Sequence, residues 1–89
     1  MAKRELIEES VWPEITYIAD RVAELRREKG LSQQDLMNAT GLTQAYISTV
    51  EKRMANPSAM VLAQLARGLG VPMAELVMPT LPRLAKDKR

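Results

Sequence analysis

Eighty-nine residues with a formal charge of +2 and no cysteine, histidine or phenylalanine are enough for one small domain with a single core, and too few for two. Without cysteine there is no disulfide or thiolate chemistry, which is compatible with a cytoplasmic location, and without histidine only carboxylates remain as metal ligands, in no calcium-loop spacing. No apolar run is long enough to span a membrane, no signal-peptide pattern opens the chain, and no nucleophile–base pair or glycine-rich phosphate loop appears; neither metal, cofactor nor catalysis is expected.

In chain order, residues 1–14 read as an arm or extra helical segment. Its apolar residues Leu6, Ile7, Val11 and Trp12 are expected to cover the core or a dimer seam; the other interpretation is a partner-binding segment. Pro13 suits the first turn of a helix. Ile15, Ile18, Ala19, Val22 and Leu25 then form a buried stripe until Gly30 ends it. A second helix starts after Ser32, an N-cap residue with Asp35 three positions on, where a carboxylate can reach back to the cap. Leu36 begins its buried side, and Gly41 stands at the break, where a left-handed backbone costs glycine little. Thr43 can cap a third helix.

Within that third helix Ile47 and Val50 share one side and belong to the core. Gln44, Ala45, Ser48, Thr49 and Lys52 fall on the opposite arc. Solvated faces usually carry Glu and Lys. This one carries side chains that can meet bases: Gln pairs bidentately with adenine, Ser and Thr donate or accept, and Ala or a Thr methyl can touch thymine. With the turn and cap ahead of it, the stretch 32–52 is the sequence form of a helix-turn-helix, whose second helix enters the major groove. Beyond it, Asn56-Pro57-Ser58 marks a turn and a cap. Val61, Leu62, Leu65, Ala66 and Leu69 give a fourth helix closed by Gly70, and Pro72 opens a short last helix through Leu76 and Val77. Pro79 and Pro82 argue against a further long helix. The fold class is all-α, with no strand signal, repeat or low-complexity segment.

Charge is distributed unevenly. Residues 1–15 carry a net −2, and the chain from Lys52 onward a net +5, so basic charge follows the third helix and fills residues 79–89, a basic tail.

The runs Val22-Ala-Glu-Leu-Arg-Arg-Glu-Lys-Gly-Leu-Ser-Gln-Gln-Asp-Leu36, Gly41-Leu-Thr-Gln-Ala-Tyr-Ile-Ser-Thr-Val-Glu51, Asn56-Pro-Ser58 and Leu65-Ala-Arg-Gly-Leu-Gly-Val71 resemble the Cro/C1-type (XRE-like) helix-turn-helix family of phage repressors and bacterial regulators. The resemblance implies a compact five-helix bundle of the lambda-repressor-like type over residues 15–78. By position it carries base contact onto Gln44, Ala45, Ser48 and Thr49. It carries phosphate contact onto Gln33, Thr43, Tyr46 and the loop from Lys52 through Arg53 to Asn56. It also implies that Arg26 and Glu51 pair, tying the third helix to the scaffold. Two positions depart from the family pattern. A glycine commonly follows within two residues of the glutamate, where the chain turns left-handed, whereas here Lys52-Arg53-Met54 follows Glu51; either Arg53 accepts that geometry or the helix continues. The alanine often found after the second helix's leucine is replaced by the larger Met37, which must bend to fit.

The expected function is a sequence-specific transcriptional regulator, a repressor or autoregulator of double-stranded DNA. An antitoxin, with a toxin as protein partner, or a restriction–modification controller would use the same motif; an adaptor that reads no bases is the alternative of another class. A monomer reads too few base pairs to single out one genomic site. A homodimer on an inverted repeat is therefore expected, with half-sites about 34 Å apart and with Met73, Leu76, Val77 and Met78 as candidate contacts.

Overall fold

The computed structural model describes residues 12–77, which form five helices and no strand: α1 (Pro13–Glu28), α2 (Gln33–Thr40), α3 (Gln44–Glu51), α4 (Ala59–Leu69) and α5 (Ala74–Val77). The all-α bundle expected from the sequence is the architecture observed. Leu6, Ile7, Val11, Met78 and the basic tail lie outside the described residues.

The first four helices begin where a side chain or ring meets the needs of the first turn. Pro13 opens α1 behind Trp12, which is half exposed and makes no side-chain cap. At α2 the Ser32 hydroxyl accepts from the Asp35 N–H at 2.9 Å, and Asp35 Oδ2 accepts from the Ser32 N–H at 2.8 Å, a complete capping box. The Ser32 backbone bond, followed by that of its hydroxyl, holds the Asp35 carboxyl below its ordinary range. Thr43 and Ser58 cap α3 and α4 through bonds to the N–H groups of Tyr46 and Val61.

One hydrogen-bond pattern ends three of the helices. The N–H of Gly30, Arg53 and Gly70 bonds the carbonyl three residues back (Arg27, Val50, Arg67), and the next N–H bonds the carbonyl five residues back (Arg26, Thr49, Ala66). This is the Schellman closure, which puts its central residue in the left-handed region. Gly30 and Gly70 adopt φ of 71° and 72°, and Arg53 adopts 66° as the one non-glycine residue with positive φ among those described. Of the two expectations at this point, the left-handed Arg53 is the one realised, and α3 stops at Glu51.

The core is aliphatic. Ile18, Val22 and Leu25 of α1 meet Leu36 of α2, Ile47 and Val50 of α3, Leu62, Leu65 and Leu69 of α4, and Leu76 of α5, with Met37 and Tyr46 packed at its edge. Helix α1 lies against α3 and α5, while α2 packs on both α3 and α4. The contact between α2 and α4 is close because Gly68 faces Thr40; a Cβ there would overlap the Thr40 methyl and reach 3.2 Å from Leu36 Cδ1. Arg21 fastens α5 to α1, its Nη2 donating to Glu75 Oε1 at 2.8 Å and its Nη1 to Glu24 at 3.0 Å, beside a Tyr17 hydroxyl bond to the Glu75 carbonyl. Leu76 is fully buried in this packing. It completes the monomer's own core and has no surface left for a dimer contact, for which it was a candidate; Met73 is exposed and Val77 partly buried.

Candidate nucleic-acid interface

The orientation of α3 is set from its inner side. Ile47 and Val50 are shut into the core, and Glu51 at its last turn is gripped by the scaffold. Arg26 Nε donates to Glu51 Oε2 at 2.7 Å and Nη2 to Oε1 at 3.1 Å, while Nη1 reaches the Leu31 carbonyl at 2.8 Å. Gln33 Nε2 adds a bond to Glu51 Oε1 at 3.0 Å. One glutamate therefore joins the end of α3 to α1 and to the first residue of α2. Burial alone would push the Glu51 carboxyl up; the bonds from Arg26 and Gln33 outweigh it and hold the group below the usual carboxylate range.

With its inner side anchored, α3 presents the opposite arc outward. Gln44 and Ala45 are exposed, and Ser48 and Thr49 partly so. Among the described residues the Gln44 and Ser48 side chains have no hydrogen-bond partner, so their polar atoms are available to an incoming group. Thr49 differs: its hydroxyl donates to the Ala45 carbonyl at 2.9 Å. With that proton committed to the backbone, the Thr49 hydroxyl offers an incoming group an acceptor oxygen rather than a donor.

The residues assigned to phosphates surround this face but are not equivalent. Lys52 and Asn56 are exposed, and Thr43 is exposed beside the N-cap bond it makes. Tyr46 is half-buried with its ring against the core. Gln33 has its amide turned to Glu51. Arg53 Nη2 spans both oxygens of Asp20, at 3.0 and 3.1 Å. The sequence does not single out Asp20, because no local signal marks an exposed acid on α1 as the partner of a residue 33 positions away. An open polar cleft between α1 and α3 is lined by Asp20 and Glu24 together with Gln33, Ser48 and Lys52. Among the described residues no acidic cluster is arranged to hold a metal ion, and no helix is long and apolar enough to cross a membrane.

A family model described as helix-turn-helix matches residues 22–76, the span from mid-α1 to α5. The chain belongs to the Cro/C1-type helix-turn-helix family. It is 43% identical over 63 residues to the uncharacterized HTH-type transcriptional regulator y4dJ of Sinorhizobium fredii, covering 71% of this chain and 82% of that one. Among solved structures it is similar to the restriction–modification controller protein C.AhdI from Aeromonas hydrophila, with a TM-score of 0.68, 35% identity and coverage of 70% of this chain and 94% of the other. The controller C.Esp1396I, solved as a tetramer with its natural 35-base-pair operator, matches with a TM-score of 0.69 at 26% identity over 75% of this chain and 92% of that one.

Proposed function

We propose that this chain is a sequence-specific DNA-binding regulator that lays α3 in the major groove and binds an inverted repeat as a homodimer. The observation that carries the reading is the outer arc of α3: Gln44, Ala45, Ser48 and Thr49 lie on the solvent side of a helix held from within by Ile47, Val50 and Glu51. A helix so fixed delivers side chains to base edges in one register, which is what direct readout requires. Gln44 offers the donor–acceptor pair that fits adenine. Thr49, with its proton committed to the Ala45 carbonyl, offers a methyl for thymine or an acceptor for an exocyclic amine. Lys52, Arg53 and Asn56 beyond the helix, with Gln33, Thr43 and Tyr46 on its near side, position the domain on phosphates. Double-stranded DNA and a second copy of the chain are the partners of this reading. It needs no cofactor and no catalytic step, and it places the protein with the chromosome in the cytoplasm.

Of the candidate dimer contacts, exposed Met73 and partly buried Val77 at the α5 end are the ones this reading assigns to the seam. Repression follows where the operator overlaps a promoter. A controller of restriction–modification genes is the narrower second reading, favoured by the likeness to C.AhdI across 94% of that protein's length.

A selection from randomised duplexes, with light scattering on the selected complex, tests the proposal. The expected result is an enriched inverted repeat bound by two chains per site. Recovery of no preferred sequence would replace the reading with that of an adaptor.

A further inference from the structure

We infer that Asp20 is an affinity-setting residue, a carboxylate that occupies Arg53 as a stand-in for DNA phosphate and gives it up when the duplex docks. The inference rests on the reading of the loop after α3 as a phosphate contact. Its first support is backbone. The ends of α1, α3 and α4 close with the same pair of hydrogen bonds, and the left-handed residue is glycine in two of them and Arg53 in the third. A side chain in that conformation is disfavoured by contact between its Cβ and the backbone, and residues kept in such regions concentrate at functional sites. The guanidinium is what Arg53 supplies in exchange for this strain.

The second support is where that guanidinium goes. Arg53 Nη2 bridges both Asp20 oxygens at 3.0 and 3.1 Å, and both side chains are about half exposed, at 49% and 54%. A guanidinium nitrogen that donates to the oxygens of a carboxylate can donate to phosphate oxygens in their place. An ion pair this exposed is weak, so a phosphate can take the carboxylate's place without disturbing the core. The third support is location. Asp20 lines the same cleft as Gln33, Ser48 and Lys52, on the margin that meets the duplex in the proposed complex. After the exchange Asp20 is left without its cation and beside the phosphate chain. The free protein thus keeps a bond that the complex must break, and affinity for any duplex is set lower than the basic groups alone would give.

Because phosphates carry no sequence, the restraint acts equally on all DNA. Asp20→Asn is expected to tighten binding of the full-length protein about two- to fivefold, the range set by an exposed pair, by the same factor on the selected site and on a random duplex. Arg53→Gln, which keeps the backbone demand and removes the charge, is expected to weaken binding to both duplexes and flatten the salt dependence by about one unit per chain. In that background Asp20→Asn should lose most of its gain. Glu24→Gln removes the same charge from the same cleft without touching Arg53, and should give a smaller gain than Asp20→Asn. No gain or a loss with Asp20→Asn overturns the inference, as does an equal gain with or without Arg53, which is a general charge effect. If Arg53→Gln leaves affinity and salt slope unchanged, the phosphate role of Arg53 itself fails; if it weakens binding while Asp20→Asn gives no gain, only the role of Asp20 fails. Melting curves of all variants establish that each is folded at the assay temperature.

Discussion

Arg26 meets Glu51 side-on with two nitrogens on two oxygens, and both side chains are nearly out of solvent, at 13% and 8% exposure. Removing one member of such a pair leaves the other charge buried without a partner, at a cost of about 3–5 kcal/mol. Glu51→Gln keeps the shape and one acceptor, so the lower end is expected. A loss of about 3 kcal/mol in a domain this small corresponds to a fall in melting temperature on the order of 10–20 °C. Glu28→Gln, on the exposed end of α1, is the control. A shift no larger than the control's would show that the pair does not hold α3.

The same glutamate gives a pH dependence of defined sign. Its carboxyl is held below the usual range in the folded chain, so the folded state binds the proton less readily than the unfolded state. The resulting stability is fully present above the unfolded carboxylate range and is lost as pH falls through the folded value. Denaturant midpoints of the parent chain and Glu51→Gln are therefore expected to differ most near neutrality and to converge below about pH 4. A constant gap across that range would remove Glu51 as the source.

Gly68 against Thr40 makes a packing prediction. Ala is the better helix former by about 1 kcal/mol, yet its Cβ at position 68 would overlap the Thr40 methyl. Overpacking of this kind costs about 1–3 kcal/mol, so Gly68→Ala is expected to be neutral to destabilising. Thr40→Ser removes the methyl and keeps the hydroxyl, which bonds the Leu36 carbonyl and the Leu42 N–H. The double variant Gly68→Ala/Thr40→Ser should melt above Gly68→Ala. Failure of the serine to rescue would place the clash elsewhere.

Gly41 is legible in the sequence and Gly68 is not, and the difference is one of range. Gly41, Ser32, Thr43 and Ser58 act on backbone groups within a few residues, and the apolar stripes of α1 and α4 repeat along one helix, so all can be read locally. The outer arc of α3 follows from helical period alone once Ile47 and Val50 are assigned inward. Gly68 facing Thr40, Arg21 facing Glu75 and Asp20 facing Arg53 each depend on how two helices cross, which no periodicity records. A glycine inside a helix is disfavoured by its own propensity, and that is the one trace Gly68 leaves. Leu76 illustrates the converse: a leucine near the end of the bundle has the same pattern whether it faces a partner or, as here, fills the core.

Base readout and phosphate contact separate by experiment. Gln44→Ala and Thr49→Ala each remove a group that can reach a base edge, and each is expected to weaken the preferred site by about 1–3 kcal/mol while relaxing one position per half-site. Thr49→Ser keeps the hydroxyl that bonds the Ala45 carbonyl and removes the methyl, so it tells apart methyl contact from acceptor use: a weakened preference for thymine marks the former. Lys52→Ala, on the exposed residue after α3, should weaken all sequences nearly equally and reduce the salt slope by about one unit for each phosphate no longer neutralised. Few charges stand on the recognition face, so the slope of the parent chain should be modest for a dimer. Binding to a randomised library at two salt concentrations reads both quantities together. If Gln44→Ala leaves the preferred sequence intact while Lys52→Ala changes it, the assignment of readout to α3 and of positioning to the loop is reversed.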